Sequence, residues 1–208
     1  YLAMTPSLGG TADLLLNTRG SAQLAMDVID QPERIRAAVE AIHLAWREGF
    51  AKIWDTTSAA GAGAINWAGL WSERPYHVLE CDFNYLIGPR PFQELFLPEI
   101  ARQAAAVGRG LFHLDGPGAA KHCDALLDTP AITAIQYVTG AGNSALAKLE
   151  MLKRIQRRGR PLQVTVHAAE EAITLSRALD PAGLCLLLEL DLDAPSLDAF
   201  YRELAKPF

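Results

Sequence analysis

The chain of 208 residues is long enough for one domain with a sizeable core, and 50% of its residues are hydrophobic. Its formal net charge of −5 argues against nucleic-acid or anionic-membrane partners, because both require a basic surface. No apolar run approaches the length of a membrane span. The cysteines have no paired spacing, which is typical of reducing compartments. We therefore expect a single cytoplasmic domain over residues 1–208, with further residues upstream, since Tyr1 begins directly in an apolar stretch.

Amphipathic helices are predicted where apolar residues recur at helical spacing. The first begins at Asp30-Gln31-Pro32-Glu33, where the proline suits the first turn. The apolar stripe that follows consists of Ile35, Val39, Ile42, Trp46, Phe50 and Ile53. Later helices are expected from about Phe92, from Asn143, and over residues 170–179 and 196–205.

Short apolar runs, several of them rich in β-branched residues, lie between these helices. They cover residues 64–67, 77–81, 110–113, 131–135, 162–166 and 183–188, with residues 1–5 as one more candidate. Such runs, separated by helices, are typical of parallel strands that are buried on both faces. The pattern predicts the α/β class, but it fits a (β/α)8 barrel and a doubly wound sheet equally well.

Polar or ionisable residues follow most of these runs, at the point where each strand is expected to end. They are Asp82, His113 with Asp115, Gln136, His167 and Glu189. Ligand sites of parallel α/β folds are built from the C-terminal ends of the strands and the loops that follow. We therefore expect these side chains to surround a common pocket.

His113 and Asp115 are the leading candidates for catalysis. They are two residues apart on an extended segment, so both side chains point to one side with Cα atoms roughly 6.5 Å apart. An imidazole and a carboxylate placed so can share a substrate, a proton or a metal; alternatively, Asp115 caps the turn Gly116-Pro117-Gly118. Asp82 is either a general acid/base or the cap of the turn that follows it. Trp67 is either an aromatic wall of the pocket or a core residue.

The remaining polar residues have equally open roles. Gln136, His167 and Glu189 are candidates for substrate contacts, although an amide can also serve loop backbone. The glycine-rich segment 140–144 can cradle a phosphate on backbone N–H groups, but it is more typical of a tight turn. Three other histidines, His43, His77 and His122, are expected at helix-surface or strand-packing positions.

Two motifs resemble the uroporphyrinogen decarboxylase superfamily. They are Phe112-His113-Leu114-Asp115-Gly116-Pro117-Gly118 and the segment AITAIQYVTGAG at residues 131–142. The segments 67–72 (WAGLWS) and 80–83 (ECDF) are also similar to the methyltransferase-like branch of that superfamily. The resemblance extends from about Gly9 to Glu189. It implies a (β/α)8 TIM barrel, lacking its N-terminal βα units in this chain, with a pocket at the C-terminal ends of the strands.

The resemblance also implies a choice of chemistry, since family members decarboxylate porphyrinogens or transfer methyl groups between a corrinoid protein and an acceptor thiol. This chain has His113-x-Asp115 where zinc-dependent members have His-x-Cys, and Cys185 lies within a strand run. A thiolate-rich zinc site is therefore not expected. The alternative is a harder site for a divalent metal such as zinc, built from His113 and Asp115 with His167 or Glu189.

From these features we expect a methyltransferase-like enzyme that acts on a small methylated or methoxylated compound together with a corrinoid partner protein. In this hypothesis His113 and Asp115 bind a metal or move a proton. Asp82, Gln136 and His167 position the substrate, and Trp67 is a wall of the pocket. One alternative is a decarboxylase in which Asp82 stabilises a developing cation. Another is a truncated, non-catalytic barrel that binds or assembles, whose unpaired strand edges favour a homodimer.

Overall fold

The computed structural model describes residues 3–59, 61 and 63–206 and confirms the α/β class. Its strands are β1 (Ala3–Met4), β2 (Ala64–Ile65), β3 (Trp71–Ser72), β4 (His77–Leu79), β5 (Gly110–Asp115), β6 (Ile132–Val138), β7 (Leu162–Val166) and β8 (Leu184–Leu188). The α-helices are α1 (Thr11–Arg19), α2 (Ser21–Asp30), α3 (Pro32–Ser58), α4 (Pro89–Pro91), α5 (Leu97–Val107), α6 (Gly116–Ala119), α7 (Cys123–Leu127), α8 (Leu149–Arg157), α9 (Ala169–Ala178) and α10 (Ala194–Leu204). No helix in this part of the chain combines the length and the apolar character needed to cross a membrane.

The strands form two sheets. Strands β4 to β8 make a five-stranded, all-parallel sheet in chain order. Strands β1 to β3 make a separate three-stranded sheet, in which β2 pairs parallel with β1 and antiparallel with β3. Within residues 3–59, 61 and 63–206, no strand pairing joins the two sheets, so a closed barrel stays a prediction. Part of the strand predicted over residues 1–5 lies outside the described residues.

The strand predicted over residues 64–67 is shorter than expected and ends at Ile65. The next residue, Asn66, is buried, and its side-chain oxygen accepts a hydrogen bond from the backbone N–H of Ala68 at 3.0 Å. An asparagine that bonds to the backbone two residues on favours a turn over an extended strand. This turn brings Trp67 and Ala68 over one face of the parallel sheet.

The two faces of the parallel sheet differ in character. Strand registers place Phe112, Ile135, Leu162 and Leu184 at one level, and the first three are fully buried in the main hydrophobic core with residues of α5, α8 and α9. The next level carries His113, Gln136, Gln163 and Cys185. Successive side chains on a strand point to opposite faces. The helices therefore cover an apolar face, while the opposite face presents a polar row.

The long helix α3 forms where the apolar stripe was predicted, but Ile42 and Ile53 of that stripe are only half-buried. Its buried positions are Ile35, Val39, His43, Trp46 and Phe50, so His43 takes the place expected for Ile42. His43 was expected on a helix surface, but its Nδ1 lies 2.9 Å from Oε1 of the buried Glu99 on α5. A buried polar side chain needs such a partner, and this contact explains the burial.

Candidate metal centre

An imidazole and two carboxylates meet at the C-terminal end of β5. His113 and Asp115 are half-buried on the same face of that strand, as their spacing predicts. Asp82 begins the 3₁₀ helix Asp82–Leu86, separated by two residues from the end of β4, which pairs parallel with β5. One potential ligand atom from each of these residues lies within 4.8 Å of those of the other two. We call this group the Asp–His–Asp cluster; one nitrogen and two oxygen donors suit a divalent cation.

Neither aspartate of the cluster is used as a helix cap. Asp115 precedes α6, but its side chain makes no capping hydrogen bond. The backbone changes direction directly after Asp115, at Gly116, whose φ of 77° is in the left-handed region that favours glycine. The turn after Asp82 is bonded instead by Asp13 of α1, whose Oδ1 accepts from the N–H of Phe83 at 2.9 Å. Neither carboxylate of the cluster is thus committed to a helix cap.

Asp82 lies among other acidic groups. Desolvation of its carboxyl raises its pKa, and the nearby charges of Asp13, Asp115 and Glu80 raise it further. The imidazole of His113 acts in the opposite direction. Like charges held this close destabilise the ionised carboxylates. A cation bound between them would therefore stabilise the cluster by neutralising that charge.

Asp13 belongs to this environment and was not identified from the sequence. Burial raises its pKa, while hydrogen bonds from the backbone of Phe83 and Asp82 oppose that change. Its Oδ2 is buried and has no hydrogen-bond partner among the described residues. The sequence signal was only an acidic residue in the first turn of a helix, which is a common feature of helices.

Trp67 forms one side of the cluster. Its ring meets the imidazole of His113 edge to face, with ring centroids 5.1 Å apart. Its Nε1 donates to Oε1 of Glu80 at 3.2 Å, and the hydroxyl of Ser7 donates to the same oxygen at 2.7 Å. Trp67 keeps 41% of its surface exposed. It therefore stands as an aromatic wall beside the imidazole rather than as a core residue.

Gln136 contacts His113 directly. Its Oε1 lies 2.5 Å from Nδ1 of His113, and its Nε2 donates to Oε1 of Gln163 at 2.7 Å. Gln163 in turn donates to the backbone carbonyl of Ala68 at 2.9 Å. With Nδ1 occupied in this way, Nε2 is the imidazole nitrogen left for the Asp–His–Asp cluster. Gln163 was not among the predicted site residues; a glutamine inside an apolar strand was its only signal.

His167 and Glu189 lie at the same edge of the sheet but form a pair of their own. They follow β7 and β8, and Nδ1 of His167 lies 3.4 Å from Oε2 of Glu189. Both side chains are about half exposed. The structure thus brings Asp82, His113, Asp115, Gln136 and Trp67 together, whereas His167 and Glu189 contact each other.

The segment 140–144 is a turn and does not offer an anion site. The N–H of Asn143 bonds to the carbonyl of Gly140 at 3.2 Å. The N–H groups that follow, of Ala145 and Leu146, point to Oε1 of Glu171 at 2.5 and 3.3 Å. A carboxylate from α9 already occupies the position that a phosphate would need, so the phosphate alternative is wrong.

None of the cysteines belongs to the Asp–His–Asp cluster. Cys81 is fully buried, and desolvation raises the pKa of its thiol well above the usual value. Burial likewise raises the pKa of Cys123 to about 11. Cys185 lies within β8, where its sulfur is 3.7 Å from Nε2 of Gln163. The donor set of the cluster, among the described residues, therefore consists of carboxylates and an imidazole without a thiolate.

A separate hollow of about 490 Å³ lies near the opposite, N-terminal ends of the strands. Its lining is mainly apolar and includes Leu70, Tyr76, Leu111, Ala134 and Pro161. It contains no member of the Asp–His–Asp cluster. We place the candidate chemistry at the C-terminal ends, because the convergent ionisable groups lie there.

Comparisons with family models, with curated proteins and with solved structures give no match to this chain.

Proposed function

We propose that this chain is a metal-dependent, methyltransferase-like enzyme of the uroporphyrinogen decarboxylase superfamily, built on a (β/α)8 barrel. The observation that carries the proposal is the Asp–His–Asp cluster at the C-terminal ends of parallel strands. The substrate is a small methylated or methoxylated compound, and the partner is a corrinoid protein in the cytoplasm. The parallel sheet has two edge strands among the described residues, β4 and β8, and these edges are consistent with a homodimer.

The residues of the cluster fit a divalent cation of intermediate hardness, such as zinc. Asp82 and Asp115 would each supply a carboxylate oxygen, and His113 would supply Nε2. When bound, such a cation supplies Lewis-acid polarisation of the atom that carries the methyl group. Because the pKa of Asp82 is raised, its carboxyl holds a proton to higher pH than an ordinary aspartate. Cation binding is therefore expected to weaken as the pH falls.

The surrounding side chains bind and orient the substrate. The half-exposed ring of Trp67 closes one side of the site and limits the access of water to His113. Gln136 holds the imidazole in place. His167 and Glu189, at the ends of the next strands, are positioned to contact a more distant part of the substrate. In this proposal the Asp–His–Asp cluster carries out the chemistry, while Trp67, His167 and Glu189 bind the substrate.

Charge favours methyl transfer over decarboxylation of a polycarboxylate. Asp13, Glu80 and Asp115 all act on Asp82 as like charges. A substrate that carries several carboxylates would be repelled by these negative charges. A neutral or cationic methyl donor meets no such penalty.

The metal centre is tested by equilibrium dialysis of the chain against Zn²⁺ and Mn²⁺. We expect a single bound cation, and at least about a tenfold loss of affinity in Asp115→Asn and in His113→Ala. Asp198→Asn, an exposed aspartate on α10, is the matched control and should bind like the wild type. Unchanged affinity in His113→Ala would refute the metal centre.

The reaction is tested separately, by following methyl transfer from a methylated corrinoid to an added thiol in the presence of the cation. The Co–C bond breaks, an S–C bond forms, and the thiol loses its proton. We expect demethylation of the corrinoid by the wild type and a loss of at least about tenfold in His113→Ala. Cation binding without any transfer would exclude the methyltransferase and leave the metal centre standing. Release of carbon dioxide without a corrinoid would support the decarboxylase instead.

A further inference from the structure

A row of hydrogen-bonded side chains crosses the polar face of the sheet and ends at His113. Strand registers place His113, Gln136 and Gln163 at one level on β5, β6 and β7. The two glutamines are 1% and 2% exposed. Their amides join His113 to the backbone of the loop that follows β2, through contacts of 2.5, 2.7 and 2.9 Å.

The far end of this row determines the direction of every hydrogen bond in it. The carbonyl oxygen of Ala68 can only accept, so Gln163 must turn its Nε2 towards it. The sulfur of Cys185, at 3.7 Å from the same Nε2, is a second acceptor on that side. Oε1 of Gln163 then faces Gln136 and requires Nε2 of Gln136 as its donor. Oε1 of Gln136 is left facing His113, and only a protonated Nδ1 can donate to it.

We infer that Gln163 is a positioning residue: acting through Gln136, it holds His113 in the Nδ1–H tautomer and so presents the lone pair of Nε2 to the Asp–His–Asp cluster. The use of that lone pair by a cation rests on the proposed function. The tautomer itself is a property of the metal-free chain. Metal-binding histidines are commonly fixed by a hydrogen bond to the other ring nitrogen, and such partners tune the affinity of the site.

Loss of Gln163 removes the acceptor that holds Nε2 of the Gln136 amide away from His113. Without an acceptor on its far side, Gln136 is free to turn its Nε2 towards His113. A donor at that position stabilises the imidazole with its proton on Nε2. The proton would then occupy the nitrogen that faces Asp82 and Asp115, and a cation would have to displace it.

The tautomer is measured by NMR on metal-free protein labelled with ¹⁵N in histidine, at about pH 8.5 where an ordinary imidazole is neutral. The His113 signals are assigned by their loss in His113→Asn. We expect a protonated, pyrrole-type Nδ1 and an unprotonated, pyridine-type Nε2. A proton on Nε2 in the wild type would overturn the inference without any variant of Gln163.

The role of Gln163 is measured in Gln163→Met, which keeps the length of the side chain and removes both hydrogen-bonding groups. We expect the His113 tautomer to shift towards Nε2–H and the affinity for Zn²⁺ to fall by about 10–100-fold. Gln103→Met is the matched control: Gln103 is 1% exposed on α5, and its side chain bonds to Thr11 outside the row. It should leave the tautomer unchanged.

A rescue separates positioning from general packing. In Gln163→Met combined with Gln136→Glu, the side chain at position 136 offers only acceptors, so the Nδ1–H form should return. If Gln163→Met does not fold by circular dichroism, Gln163→Ala, which adds no bulk, replaces it in the comparison. An unchanged tautomer in the folded variant overturns the role of Gln163. An Nδ1–H wild type that binds no cation refutes the proposed function alone.

Discussion

Gly10 lies at the start of α1, close to Glu80 and Asp13. The substitution Gly10→Ala adds one carbon there and tests how tightly α1 packs against Glu80. Its φ of −75° is available to any residue, so backbone conformation does not require glycine. A β-carbon at this position would lie 2.1 Å from the carbonyl oxygen of Glu80 and 2.4 Å from Oδ2 of Asp13. Non-bonded atoms prefer a separation of about 3.5 Å, so Gly10→Ala forces α1 away from Glu80 by roughly 1.4 Å.

The expected cost combines two opposing effects. Overpacking of this kind costs about 1–3 kcal/mol, whereas replacing glycine restricts the unfolded chain and returns about 0.4–1 kcal/mol. The net loss in the free energy of unfolding is therefore about 1–2 kcal/mol. For a domain of this size it corresponds to a fall in Tm of about 2–8 °C.

The assay is thermal unfolding followed by circular dichroism, with urea unfolding as a second measure. Gly49→Ala is the matched control, because Gly49 lies inside α3 and a β-carbon there would come no closer than 3.8 Å to Leu8. Alanine in a helix interior should raise stability by about 0.5–1 kcal/mol. A Tm for Gly10→Ala at or above that of the wild type, with Gly49→Ala behaving as expected, would refute the close packing.

Two buried histidines give further predictions. Burial lowers the pKa of His77 to about 4 from the usual 6.5, so the unfolded chain binds more protons between these values. Stability should therefore fall as the pH falls through that window, by up to about 1.4 kcal/mol per pH unit. His77→Phe should lose this component in urea titrations, and parallel pH profiles for variant and wild type would contradict it. Glu99→Ala removes the acceptor of both His43 Nδ1 and the Thr11 hydroxyl, and each orphaned donor costs about 1–3 kcal/mol. Urea unfolding should show a loss of about 2–5 kcal/mol, and a loss below about 1 kcal/mol, equal to that of the exposed Glu150→Ala, would count against the network.

The convergence of Asp82, His113 and Asp115 could be predicted from the sequence because it depends on local order alone. Parallel strands end at one edge of a sheet, so residues that follow consecutive strands are brought together there. The two-residue spacing of His113 and Asp115 likewise places both on one face. The same argument placed Gln136 just beyond a strand ending at residue 135, whereas β6 continues to Val138 and Gln136 lies within it, level with His113. The α/β class followed from the alternation of strand and helix patterns.

Contacts made across the fold could not be predicted in this way. Asp13 reaches the turn after Asp82 from a helix far away in the chain, and Gln163 is oriented by the backbone of Ala68. Glu171 accepts from the N–H groups directly after the segment 140–144, which by itself had a phosphate site as one alternative. Each of these partners depends on how separate elements pack, which hydrophobic periodicity does not encode.

The sequence by itself determined which side chains follow the strands and which faces they share, because backbone geometry imposes those relations on any chain with this pattern. Only the tertiary structure decided which carboxylates take part in no helix cap and which nitrogen of His113 contacts Gln136. Those outcomes depend on the requirement that every buried polar group find a partner, and the partners come from distant segments.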